Sequence, residues 1–153
     1  MVAGRYRVVR FLADGGTGEV YEVFDERLKL RLALKTLRSD LSSDRSALAR
    51  FERELLVARQ VSHENLCSLF DLVEYDTPVG PIPCLTMELL EGESLSERLA
   101  RERPLDLETA REFVRQIGRG LTALHEHGII HRDLKPSNVL IRFCYVLRFL
   151  RTG

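Results

Sequence analysis

Between His131 and Asn138 the chain sets Asp133, Lys135 and Asn138 on one short stretch. A carboxylate placed there can orient a hydroxyl and accept its proton. An ammonium two residues on can hold phosphate oxygens, and an Asn carbonyl can bind Mg²⁺. Together these are three parts of a phosphoryl-transfer site. The elements on either side must position them. Asp106 is suited to cap a helix running to about His127, and Ala110, Phe113, Val114, Ile117, Leu121 and Leu124 recur along it at helical spacing. That stripe reads as core. Ser94–Arg101 reads as a shorter helix before it, and Val139-Leu140-Ile141 as a short strand just after the stretch.

The string His131-Arg132-Asp133-Leu134-Lys135-Pro136-Ser137-Asn138 resembles the catalytic loop of a eukaryotic-type, bacterial-like Ser/Thr protein kinase domain. The Lys two positions after the Asp is similar to the Ser/Thr-directed branch. Such a family implies a glycine-rich hairpin near the N-terminus. Leu12-Ala13-Asp14-Gly15-Gly16-Thr17-Gly18-Glu19-Val20-Tyr21 fits it, with Ala13 where the first family glycine would stand. Gly15 and Gly18 leave the backbone free to close over phosphates. On its own, a turn with three glycines is more often only a hairpin.

Leu32-Ala33-Leu34-Lys35, in a strand-like run from Leu30 to Leu37, matches the family's V-A-I-K, so Lys35 would reach the α- and β-phosphates. A lone strand Lys is more often solvated, and a partner carboxylate on the next helix is the sharper test. Residues Ser46 to Val61 read as that helix, with Phe51, Leu55 and Ala58 on one face. Glu54 is the expected partner of Lys35, and Glu52 is its rival. Two strands follow near Ser68–Glu74 and Ile82–Met87, joined by the turn-rich Asp76–Pro81. Met87-Glu88-Leu89-Leu90-Glu91-Gly92 resembles the kinase hinge. The resemblance makes Met87 the gatekeeper, and the Glu88 carbonyl and Leu90 amide the groups that read the adenine edge. Val20 and Ala33 would cover the ring from above and Leu140 would support it from below.

The resemblance covers residues 5–141 and implies an α+β fold. Residues 1–90 would be a kinase N-lobe and hinge, a five-stranded antiparallel sheet plus one helix. Residues 91–141 would open a truncated C-lobe with its catalytic loop, and 142–153 form a tail outside the family pattern. The implied cofactors are ATP and Mg²⁺, with Asn138 as metal ligand, and the implied partner is a protein substrate. Kinases continue with Asp-Phe-Gly, whose Asp holds Mg²⁺. Here no Asp or Glu follows Asp133, and the tail carries Arg142, Arg148 and Arg151 instead. The Mg²⁺ site is therefore expected to be incomplete and the chain inactive in transfer. A nucleotide-binding pseudokinase-like fragment and a non-functional frameshift or truncation product are the alternatives. The tail reads either as a frame change or as a hydrophobic terminal strand completing a shortened domain.

The chain has 153 residues with 44% apolar content, ample for a core, and 23 basic side chains against 23 acidic. That balance argues against nucleic acid or an anionic membrane as partner. Cys67, Cys84 and Cys144 match no metal pattern, with Cys67 and Cys84 expected buried, which suggests a reduced, cytoplasmic setting. Met1-Val2-Ala3-Gly4-Arg5 does not read as a signal peptide, and no apolar run in these residues reaches membrane-spanning length. With its later helices missing, the face of helix 106–127 is expected to be exposed and open to self-association, unless the tail folds back and covers part of it.

Overall fold

A computed structural model describes residues 1–15, 18–37, 53, 55–78, 80–142 and 147–149. They fall into two compact units, one of residues 1–59 with 68–89 and one of residues 60–67 with 90–153.

The first unit is built on β1 (Tyr6–Gly15), β2 (Gly18–Asp25), β3 (Leu30–Thr36), β4 (Leu69–Thr77) and β5 (Gly80–Glu88). They form one antiparallel sheet in the order β1-β2-β3-β5-β4, the five-stranded sheet expected from the sequence. Alternation along a strand sends successive side chains to opposite faces, so the register decides what meets what. One face carries the apolar cluster of Val2, Tyr6, Val23, Leu32, Leu34 and Cys84, with Tyr21, Val73 and Ile82 packed against it. Cys84 is fully buried there, and burial pushes its thiol up to about 11. Cys67 is buried as well, as expected, whereas Cys144 lies outside the described residues.

Asp25 closes the β2–β3 turn. Its Oδ1 accepts from the Arg27 and Leu28 amides at 2.9 and 3.0 Å. The Arg5 guanidinium bonds both oxygens, at 3.0 and 2.6 Å. The Arg5 hydrogen bond, helped by those amides, holds the Asp25 carboxyl down at about 2.

The β4–β5 connection is tighter than the sequence suggests. β4 runs on to Thr77 and β5 begins at Gly80, with Asp76 opposite Pro81 and Glu74 opposite Pro83. Gly80 takes a positive φ of 122°, and Thr77 Oγ1 donates to the Gly80 carbonyl at 2.7 Å. That bond closes a turn that Pro and Gly residues had signalled as a longer loop. The expected helix over Ser46–Val61 is helical at Leu55–Ala58 and ends there, with the Arg59 amide bonded to the Leu55 carbonyl at 2.9 Å. Leu55 and Ala58 are buried while Leu56 and Val57 are exposed, so the expected apolar face is the one turned inward. Phe51, Glu52 and Glu54 lie outside the described residues.

The second unit holds β6 (Glu93–Ser94), α1 (Leu95–Arg101), α2 (Leu107–Glu126), a 3-10 turn (Pro136–Asn138), β7 (Val139–Ile141) and β8 (Leu147–Phe149). The strands pair antiparallel in the order β6-β7-β8. Ser94 caps α1 through a capping box. Its hydroxyl accepts from the Glu97 amide at 3.2 Å and its own amide donates to the Glu97 carboxylate at 2.7 Å. Asp106 caps α2 by accepting from the Thr109 amide at 2.9 Å, and His127 ends the helix, the bounds read from the sequence.

The apolar stripe of α2 is not the open face that was expected. Phe113 and Leu124 are buried, Ala110, Ile117 and Leu121 are half-buried, and of the six only Val114, at 71%, is exposed. The buried line of the helix runs through Phe113, Gln116, Gly120 and Leu124. β8 lies against α2, and Asn65 donates to the Gln116 side chain at 3.1 Å. A polar Gln can sit on that line because its amide is satisfied from across the packing surface.

Candidate functional site

In the first unit, register gathers the expected residues in a row. Val20 lies opposite Lys35, Ala33 opposite Met87, and Lys35 opposite Leu85. Val20, Ala33, Lys35 and Met87 therefore share the face opposite the Tyr6–Val23–Leu34 cluster. Lys35 is only 5% exposed, against the solvated state common for a strand Lys. An ammonium is buried this far only where charge or hydrogen bonds compensate its lost hydration. Its expected partner, Glu54, and the rival Glu52 are outside the described residues, so the pairing is not described. Met87 is buried at 1%, and Glu88 is half-buried with its amide bonded to the Ser68 carbonyl at 2.9 Å.

The glycine hairpin is present in outline. β1 and β2 converge with Asp14 opposite Glu19 and Gly15 opposite Gly18, and Ala13 lies opposite Val20. Leu12 sits where the register slips between Phe11 and Ala13, so it has no cross-strand partner in the ladder. Gly16 and Thr17 at the tip are outside the described residues. Gly18 has φ +133°, and a Cβ there would run into the Thr36 carbonyl oxygen of β3. The sequence suggested that Gly18 makes room for phosphates. The structure adds a requirement from within the sheet, which no local motif could reveal.

In the second unit, eight residues assemble the remaining groups. Ile129 and His131 are buried and anchor the loop, while Arg132 between His131 and Asp133 takes φ +63°. A non-glycine residue in the left-handed region costs about 1 kcal/mol or more, and such strain concentrates where geometry serves a site. The bend lets the Asp133 amide bond back to the His131 carbonyl at 2.8 Å. Pro136 opens the 3-10 turn, where its missing N–H costs nothing, and the Asn138 amide bonds the Lys135 carbonyl at 2.9 Å. The turn returns Asn138 to Asp133. Asn138 Nδ2 donates to the Asp133 carbonyl at 2.8 Å and to its carboxylate at 3.0 Å. Lys135 Nζ lies 3.0 Å from the same carboxylate oxygen. Asp133, Lys135 and Asn138 thus form one constellation, with Asp133 and Lys135 about a third and a half exposed at 31% and 47%.

Leu140 is half-buried in β7 between buried Val139 and Ile141, opposite Ser94 and Arg148 in the register. Leu90, also half-buried, leads into Gly92. Gly92 has φ +153°, and a Cβ would strike the Ile141 carbonyl oxygen. Sequence reasoning included Gly92 in the hinge-like string but gave it no role. Its role is the close approach of β6 to β7. Next to it, Arg101 and Arg98 bond the Glu93 carboxylate at 2.7 and 2.6 Å and hold its pKa below the usual range.

The donor set separates two cofactors. A nucleotide fits the chemistry of a buried Lys beside Ala33 and Val20. Mg²⁺ does not fit as an ion held by protein alone. With Asn138 Nδ2 committed to Asp133, the amide supplies one neutral oxygen to a cation that prefers carboxylates and phosphates. No Asp or Glu lies between Asp133 and Gly153. Among the described residues there is no group of three His, Cys, Asp or Glu suited to a metal.

Residues 6–147 match the family model for the protein kinase domain. The Ser/Thr-protein kinase PknA of Mycobacterium tuberculosis is 40% identical over 141 residues, which are 92% of this chain and 33% of PknA. PknB of the same organism is 36% identical over 152 residues, covering 99% of this chain and 24% of PknB. The crystal structure of the M. tuberculosis PknI kinase domain aligns over 100% of this chain and 61% of its own, at 27% identity and a TM-score of 0.81. The chain spans a quarter to a third of the length of the two curated relatives.

Proposed function

The chain belongs to the protein kinase domain family, and from that premise we propose that it carries the nucleotide-binding and catalytic-loop part of a Ser/Thr protein kinase. ATP is the nucleotide. Val20, Ala33 and Leu140 are the groups for the adenine, with Met87 as gatekeeper and the Glu88 carbonyl and Leu90 amide as edge-reading groups. Ala13, Gly15 and Gly18, with Leu12 before them, form the loop over the phosphates, and Lys35 with Glu54 fixes them. Asp133 orients the acceptor hydroxyl and takes its proton, and Lys135 neutralises charge on the transferred phosphoryl group. The observation that carries the reading is the Asp133–Lys135–Asn138 constellation, closed by contacts of 2.8–3.0 Å.

The 153 residues alone bind nucleotide without completing transfer, because no carboxylate after Asp133 is available to hold metal against the β- and γ-phosphates. Addition of ATP to the folded chain should raise its Tm, with little further effect of Mg²⁺, and Lys35→Met should remove the shift. No shift in a cooperatively folding sample would sink the nucleotide reading. Phosphate incorporation into a protein substrate that Asp133→Asn abolishes would show that transfer survives after all.

Among the described residues no helix is long and apolar enough to cross a membrane. A cytoplasmic setting fits the two buried, unbridged cysteines. Protein substrates would be those of the whole kinase.

A further inference from the structure

The face of the sheet that carries Lys35 also carries a charge cluster beyond the residues assigned to the nucleotide. Glu22 of β2 is 1% exposed, opposite Arg10 on β1 and Ala33 on β3. Arg10 Nε bonds one carboxylate oxygen at 2.7 Å, and Arg31 Nη1 lies 3.1 Å from the other. Each arginine is itself 65% exposed. Arg7, opposite Phe24 in the same register, stacks its guanidinium 5.2 Å from that ring and pairs with Glu26, which Lys29 also contacts.

A carboxylate this buried needs both guanidiniums to offset its lost hydration, and such a cluster adds little net stability over an apolar core. What it does achieve is to gather two guanidiniums, Arg10 held by a hydrogen bond through Nε and Arg31 drawn close by charge alone, since the Glu22 oxygen it faces has no hydrogen-bond partner. The Nη groups of Arg10 and the Nη2 of Arg31 are not used in these pairs and keep their donors for another acceptor. The arginines come from β1 and β3, about 10 Å apart across the sheet. Four cations here, Arg7, Arg10, Lys29 and Arg31, meet only two carboxylates, Glu22 and Glu26, in a chain whose overall charge is zero.

We propose that Arg10 and Arg31, splayed from the buried Glu22 carboxylate, form a docking site for a phosphorylated, acidic segment of a protein. A phosphomonoester dianion matches two guanidiniums gathered on one carboxylate with Nη donors to spare, and bidentate, charge-assisted bonds are the strong ones. Acidic residues flanking it would meet Arg7 and Lys29. The site is separate from the nucleotide reading and stands or falls without it.

The test is fluorescence anisotropy on the 153-residue chain with a short labelled peptide carrying one phosphothreonine among Asp and Glu, and with its unphosphorylated twin. The phosphorylated peptide should bind roughly tenfold or more tightly than the twin, and the R10Q/R31Q double variant should erase the difference. R31K keeps the charge but loses the fork, and it should lose most of the preference. R31K also decides the matter if the double variant does not melt cooperatively. Equal binding of the twins, or a preference that survives in R10Q/R31Q or R31K, overturns the proposal. So does inorganic phosphate that competes as well as the phosphopeptide, which would make free phosphate the ligand. Phosphatidylserine vesicles captured with the same dependence on Arg10 and Arg31 would make it a lipid surface instead. The ATP-induced Tm shift, read in parallel, reports on the nucleotide reading independently.

Discussion

The sheet and the catalytic loop assemble their groups by opposite means. On the sheet, Val20, Ala33, Lys35 and Met87 come from three strands and meet because the register holds over many residues. In the loop, Asp133, Lys135 and Asn138 lie within six residues and meet through a strained bend and one 3-10 turn. The sheet is therefore sensitive to anything that moves a strand, and the loop to the loss of a single side-chain bond. Each unit also depends on one glycine that lets two backbones approach, Gly18 against Thr36 and Gly92 against Ile141. This shared device allows the two regions to be compared directly.

The largest effect should come from that device. Gly18→Val puts a branched side chain where a carbonyl already lies and forces a non-glycine residue to φ +133°. It should cost about 3 kcal/mol or more, with a fall in Tm of many degrees and loss of the ATP shift. Gly92→Val should cost a similar amount. A Gly18→Val chain that melts like the parent would mean that β3 can yield, and that register is not what places Lys35.

Next in size is the Arg5–Asp25 pair. Asp25→Asn removes a charge bonded by Arg5 and two amides, and should cost about 2–3 kcal/mol at neutral pH. The carboxyl is held at about 2 in the folded chain against an ordinary 3.8. Its contribution is therefore full above about pH 4 and fades as pH falls towards 2. Urea midpoints of the parent and Asp25→Asn should converge between pH 5 and pH 2.5. A gap that stays constant over that range would mean that the Asp25 charge contributes nothing.

How much of this was legible in the sequence follows the same division. The α2 bounds at Asp106 and His127 were readable because a cap and a periodic stripe are local signals. The loop was readable because its members are neighbours. The inward face of the described helical segment was readable from Leu55 and Ala58. What could not be read depends on strands meeting. Nothing near Gly18 names Thr36, nothing near Glu22 names Arg10 and Arg31, and the length of the β4–β5 hairpin was hidden by Pro81 and Pro83, which are tolerated inside β5. The covering of α2 was legible only as one of two readings of the tail, since its apolar run suggests a terminal strand but does not say that this strand pairs with β7 and reaches α2.

A smaller effect tests the loop. Asn138→Ala deletes two hydrogen bonds to Asp133, one to the backbone and one to the carboxylate. The part-buried site should lose about 1–2 kcal/mol. Amide exchange at Asp133 should quicken while amides in β2 and β3 keep their protection, since the loop's contacts are local. Protection lost equally in the sheet would show that the two regions do not respond separately.

The smallest effect belongs to Val114, and it decides whether α2 is a sticky surface. Val114 is the one member of the six-residue stripe left exposed, with Leu107 at 63% a full two turns earlier on the helix. Between and beyond them Ala110, Ile117 and Leu121 are half-buried, so the stripe offers a smaller apolar patch than six open side chains would. Val114→Asp adds a charge to an exposed helix position and should change stability by no more than about 0.5 kcal/mol. It should also leave the sedimentation profile of the chain as it was. If the parent sediments as a dimer or larger and Val114→Asp returns it to a monomer, then α2 does offer an association surface, and burial of Phe113 and Leu124 is not enough to quiet it.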